Sequence, residues 1–156
     1  MANSSSQSGG PYLSAAFLCE KILQEGDGVK SAIRIVDRVT HTVTGPEPPT
    51  TMEPFVHELT LFLRFKSGWA RGGFQLRLEL VKPSGDSSTL ARQTVVFEGE
   101  EDRGADIIAP MRMELSQTGI YWFEVHLNEV LVTRVPFRVV YVSAVTPPAS
   151  GATGGL

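Results

Sequence analysis

TGIYWFEVHLNEVLVTRVPFRV, residues 118–139, is the stretch on which the fold class turns. Tyr121, Phe123, Val125 and Leu127 alternate with Trp122, Glu124 and His126. A polar pair, Asn128-Glu129, interrupts the run, and a second apolar stretch continues through Val135, Phe137 and Val139. Successive side chains of a strand point to opposite faces, so this alternation marks two half-buried strands joined by a turn. A two-residue turn at Asn128-Glu129 would pair Phe123 with Arg134 and put the arginine on the core face. A three-residue turn, Asn128-Glu129-Val130, pairs Leu127 with Leu131, Phe123 with Val135 and Tyr121 with Phe137. That register keeps both inward faces apolar apart from Thr133, and a one-residue slip would invert every side chain, so it is the one expected. Three-residue turns usually need a left-handed residue, and no glycine is present, so an irregularity or bulge is expected as well. Pro136 cannot donate to a ladder, which predicts an edge or a bulge at that point.

The same period of two runs through the rest of the chain. Leu59, Leu61, Leu63 and Phe65 share one face, while Thr60, Phe62, Arg64 and Lys66 share the other. Phe74, Leu76, Leu78 and Leu80 alternate with Gln75, Arg77 and Glu79, and Met111, Met113 and Leu115 with Arg112 and Glu114. Ile33 and Ile35 are set against Arg34 and Arg38. Between these runs stand turn signals: GDG at 26–28, GPEPP at 45–49, SGWARGG at 67–73, KPSGD at 82–86 and an acidic loop at 99–106. Strands are expected near 12–22, 30–43, 55–66, 73–82, 90–98, 106–115, 119–127 and 131–142. The segment 14–24 is open to a helical reading, but the GDG turn and the β-branched run after it favour a strand. About eight short strands without crossover helices predict a single immunoglobulin-like antiparallel β-sandwich over residues 11–142. Residues 1–10, rich in Ser and Gly, and 143–156, rich in Pro, Gly and Ser, are expected to be flexible tails.

The 156 residues carry a formal net charge of −3, with 42% hydrophobic and 20% charged residues, the composition of a globular domain. That balance gives no broad attraction to phosphate backbones or anionic lipid, so neither nucleic acid nor membrane is expected as a partner. The single cysteine, Cys19, lies in an apolar run and is expected to be a buried thiol in a reducing, cytoplasmic setting. The N-terminal MANSSSQSGG lacks the basic and apolar regions of a signal peptide.

FLCEKILQEGDGVKSAIRIVDRV, LFLRFKSGWARGGFQLRLELVKPSG and the opening hairpin together resemble an uncharacterised family of small bacterial proteins. That family opens on a Leu-Cys-acid strand, follows with an Ile/Val-rich strand ending in Asp-Arg, and closes with such a hairpin, often with Asp-Gly at its turn. The final hairpin is also similar to that of many immunoglobulin-like bacterial domains. The resemblance implies a fold and no activity, so it supplies no catalytic residue.

The residues themselves point to no catalytic chemistry. His41, His57 and His126 lack the short spacings of a zinc site, although the first two flank one loop and are expected near each other. No serine occupies a nucleophile elbow, and no glycine-rich phosphate loop opens a helix. Glu98, Glu100, Glu101, Asp102 and Asp106 read as a solvated acidic loop rather than a calcium site. No cofactor and no metal are expected.

Candidate interaction residues remain. Trp69 and Arg71 share a loop, Trp122 and Phe62 fall on wet strand faces, and Arg34 and Arg38 share the outward face of one strand beside Asp37. Aromatic and arginine residues of this kind are enriched at interfaces. The function expected is a non-enzymatic protein–protein interaction or assembly module, its partner another protein or a second copy. Two alternatives stand beside it: a ubiquitin-like or tail-modified protein using the C-terminal Gly154-Gly155, and a binder of a small ligand or metal between the sheets.

Overall fold

Nine strands and no helix make up residues 9–147, the part of the chain that the computed structural model describes. They are β1 (Tyr12–Gln24), β2 (Lys30–Ile35), β3 (Arg38–Gly45), β4 (Phe55–Lys66), β5 (Arg71–Val81), β6 (Ser87–Glu98), β7 (Gly104–Leu115), β8 (Gly119–Leu127) and β9 (Val130–Val145). Two sheets form, with orders β2-β1-β4-β7 and β3-β9-β8-β5-β6. Their facing sides hold the core expected from the alternation. Leu59, Leu61, Leu63 and Phe65 come from β4, and Leu76, Leu78 and Leu80 from β5. Tyr121, Phe123, Val125 and Leu127 on β8 meet Val135, Phe137 and Val139 on β9. Segment 14–24 is strand, as the GDG turn indicates: Gly28, at φ 86°, donates its N–H to the Glu25 carbonyl.

The expected strand at 30–43 is two strands in different sheets. β2 pairs with β1, while β3 pairs with β9 in a parallel register, so the sandwich is not wholly antiparallel. Ile33 and Ile35 are exposed rather than inward, and a bend explains it. The β1–β2 ladder skips the Glu20/Arg34 position, and β1 leaves β4 after the Cys19–Thr60 pair. Arg34 adopts a left-handed φ of 51°, and its Nε lies 2.6 Å from Glu20 Oε1 across the bend. Beyond it the β1–β2 ribbon folds back over the outer face of its own sheet, where Lys30 Nζ reaches Asp106 Oδ2 at 2.9 Å. The ribbon therefore turns Ile22 and Ala32 inward as half-buried residues and leaves Ile33 in solvent.

The β8–β9 turn corrects the expected three-residue loop. Leu127 pairs with Val130, so Asn128 and Glu129 form a two-residue turn, and both are left-handed, at φ 47° and 65°. That is the twist-matched hairpin turn, usually built with glycine. A bulge between Val125 and His126 then restores the expected pairs, Phe123 with Val135 and Tyr121 with Phe137. The bulge thus reconciles a tight turn with an apolar inner face. Asn128 tolerates the conformation and accepts the Gln75 N–H at 2.8 Å, whereas Glu129 gains no such relief. Glu129→Gly removes a backbone penalty of about 1 kcal/mol and the ion pairs with Arg77 and Arg92, which together contribute about 0.5 kcal/mol. Urea unfolding is therefore expected to show a net gain of about 0.5 kcal/mol; a clear loss would mean that the ion pairs of Glu129 dominate.

Pro136 lies in an interior strand at a point where that strand has an open side. Arg138 donates its N–H to the Asp37 carbonyl on the β3 side, and β3 pairing begins there. Two residues earlier, Pro136 directs its nitrogen to the same side, ahead of β3, where no donor is required. Near the start of β8, the buried Tyr121 hydroxyl accepts the backbone N–H groups of Ser116 and Gln117 at 3.3 and 3.1 Å. This ties the β7–β8 connection to the core.

Candidate functional site

The outer face of the five-stranded sheet carries an organised polar lattice that extends to the β8–β9 tip. The β5–β8 register sets Arg77 opposite His126 and Glu79 opposite Glu124, and the β8–β9 register sets Glu124 opposite Arg134. Two carboxylates face to face repel unless cations intervene. Arg77 pairs with Glu79 and, at 2.9 Å, with Glu129; Arg134 Nε lies 3.0 Å from Glu124 Oε1. With Arg92 3.9 Å from Glu129, three arginines balance three carboxylates.

Trp122 alternates onto this face as expected and is half-buried, with Arg134 stacked on its ring at 4.3 Å from the centroid. The cover is an arginine, not a second layer. His126 also points outward, 4.0 Å from Glu124. Ligand atoms of Glu79, Glu124 and His126 lie within 4.8 Å of one another, a spacing that a metal ion could span. Both carboxylates are already held by arginine, so an ion would have to displace those cations.

Next to the lattice the surface becomes apolar. Val130, Leu131 and Val132 at the hairpin tip are 66, 47 and 36% exposed. Among the described residues, nothing hydrogen-bonds the outer edge of β9 ahead of Arg138. Pro136 pointed to an edge or a bulge in this strand, but the expected register set Leu131 inward; the bulge next to the tight turn pairs Leu131 with His126 and turns it outward.

The other candidates are scattered. Phe62 is 5% exposed and packed against Phe17, with ring centroids 5.1 Å apart, so it does not lie on a wet face. The folded-back β1–β2 ribbon covers it. Arg34 and Arg38 belong to different strands in different sheets, and Arg38 pairs at 3.7 Å with its neighbour Asp37, so the expected shared patch does not form. Trp69 is 72% exposed, and its Nε1 donates to Glu101 Oε1 at 2.6 Å; Arg71 is exposed at the start of β5. Gly154 and Gly155 lie outside the described residues. His41 and His57 both pack on Phe55, at 4.3 and 6.5 Å between centroids, and burial pushes the His57 imidazole below its ordinary value. Cys19 is fully buried, and burial pushes its thiol up, which suits a structural role rather than a nucleophile.

The acidic loop is not uniformly solvated. Asp106 is 17% exposed and bound by Arg64 through Nε at 2.7 Å and Nη2 at 2.9 Å, together with Lys30. The Arg64 hydrogen bonds, against an opposing effect of burial and with help from Lys30, bring its pKa down to about 2.

Residues 14–140 match the model of a family described as "Family of unknown function (DUF6941)". No curated protein matches the chain. Among solved structures, the chain is similar to a Pseudomonas fluorescens alkylpurine DNA glycosylase, AlkC, bound to DNA containing an abasic site analog. Identity is 12% and the TM-score 0.37, over 64% of this chain and 27% of that one. No helix of the described residues is long and apolar enough to cross a membrane.

Proposed function

The chain belongs to the DUF6941 family, and from that premise we propose that it is a non-enzymatic protein-interaction module that takes up a partner strand on the open edge of β9. The observation that carries this reading is the stretch from Val130 to Val135, which pairs with β8 on one side and is open on the other, with three exposed apolar side chains at its tip. Exposed flat edges template further pairing, and proteins ordinarily blunt them with charge, proline or a cover. Here Pro136 stops the edge at one end, and at the other the bulge at Val132 leaves Val130, Leu131 and Val132 exposed. Backbone hydrogen bonds would supply affinity, and contacts to Leu131 and Val132 selectivity. A second copy satisfies the same chemistry: two VLVTR segments paired antiparallel about Val132 make a self-complementary contact. The domain reads as immunoglobulin-like, and the Tyr121 hydroxyl bonding to the backbone just upstream supports it, since such a tyrosine corner marks those sandwiches. Neither nucleic acid nor membrane is proposed as a partner.

Sedimentation of the pure protein tests the edge. The native chain is expected to dimerise with increasing concentration, and Leu131→Lys to shift the dissociation constant by about tenfold or more. Trp122→Ala is expected to act less, because Arg134 already covers the ring. A native chain that stays monomeric up to roughly 1 mM and behaves like Leu131→Lys would overturn self-pairing. If crosslinking in the native host also traps no protein at residues 130–135, the interaction reading falls with it.

A further inference from the structure

The folded-back β1–β2 ribbon does more than cover Phe62. Its tip borders an open cleft of about 630 Å3 at the end of the four-stranded sheet. Four cations line this cleft, Lys30, Arg64, Lys66 and Arg103, against two carboxylates, Asp102 and Asp106. In a chain of formal charge −3, positive charge is therefore gathered in one concave place. The pairings leave part of it uncompensated. Arg64 and Lys30 share the single carboxylate of Asp106. Lys66 Nζ donates to the Asp102 backbone carbonyl at 2.7 Å, a neutral acceptor. Arg103 is bound through Nε to Glu100 at 2.8 Å, which leaves its terminal nitrogens for another acceptor. Gly104 forms part of the wall, and a Cβ there would collide with the Phe65 backbone, so strand and sheet approach closely enough only with glycine. Ile108, partly exposed, offers an apolar surface beside the charges.

We infer that this cleft binds the phosphate group of a small organic phosphate, held by Lys30, Lys66 and Arg103 with its organic part against Ile108. Two lysines act as mobile point charges and an arginine as a planar fork, a combination suited to an oxyanion with several acceptor oxygens. With Glu100 on Arg103 counted, four cations face three carboxylates, a surplus of positive charge that favours an anion. The volume lies within the range of small-ligand sites. Asp106 fixes Arg64 and Lys30 in place, and its low pKa keeps that arrangement intact across neutral pH. The site is separate from the β9 edge, so either can fail without the other.

Titration of the full chain with inorganic phosphate, followed by amide NMR, tests the site, with succinate as the carboxylate arm and equal ionic strength throughout. Phosphate is expected to shift the amides of Lys66, Gly104 and Ile108 saturably, with half-saturation below roughly 10 mM. Succinate is expected to bind about tenfold more weakly, and Lys66→Ala combined with Arg103→Ala to weaken phosphate by about tenfold. Both side chains can be removed without touching Asp106, and an unchanged melting temperature shows that the variant is folded. Shifts that do not saturate, or that persist in the folded double variant, overturn the site. Succinate binding as tightly as phosphate overturns the assignment to phosphate.

Discussion

Phe62→Ala is expected to destabilise the protein by about 3 kcal/mol, the range for emptying a buried aromatic site. The ring is 5% exposed although it stands on the outer face of its sheet. Phe17 packs on one side, and the Arg64 guanidinium lies 5.6 Å from the ring centroid. The β1–β2 ribbon excludes water from above. Truncation loses both the transfer free energy and the contacts around the cavity, because a ribbon pinned by Lys30–Asp106 cannot collapse freely onto the space. Urea unfolding measures the change. A loss below about 1 kcal/mol would mean that the ribbon does not cover the sheet, and the cleft beside its tip would be lost as well.

The second large effect is Asp106→Asn, with an expected loss of about 2.5 kcal/mol at pH 7. The estimate follows from a carboxyl whose pKa falls from 3.8 to about 2 on folding. The folded value is depressed, so the contribution is fully present above the unfolded pKa and is lost as pH falls through the folded one. Between about pH 4 and pH 2 the native protein should therefore lose this increment and approach the variant, which has no carboxyl to protonate. Stability curves of both proteins across that window decide the matter. A difference that stays constant down to pH 2 would locate the effect in packing rather than in the Arg64 and Lys30 interactions.

These two residues also mark where sequence reading stopped. Leu59, Leu61, Leu63 and Phe65 were legible as core because a strand's alternation reports the two sides of its own sheet. The same alternation placed Phe62 in solvent, since it counts faces and cannot see a distant ribbon lying over one. Asp106 looked like one acid in an acidic loop, because its partners stand 42 and 76 positions away along the chain. The β8–β9 pairing was legible from Phe123 back to Tyr121, where apolar faces must match. It was misread at the tip, where two left-handed residues and a bulge replaced a longer turn.

The sequence by itself determined an all-β chain, its strands but for one division and for the end of β9, which runs on through Ser143–Val145 where a tail was expected, and the inward face of most of them, because those properties follow from local alternation and turn chemistry. Tertiary structure alone decided the break at Val36-Asp37, the parallel pairing of β3 with β9, the open edge at Val130–Val135 and the basic cleft beside the ribbon. Each of these depends on which distant segments meet, and the free energy that selects those meetings comes from burial and ion pairing across the whole domain rather than from any short stretch of residues.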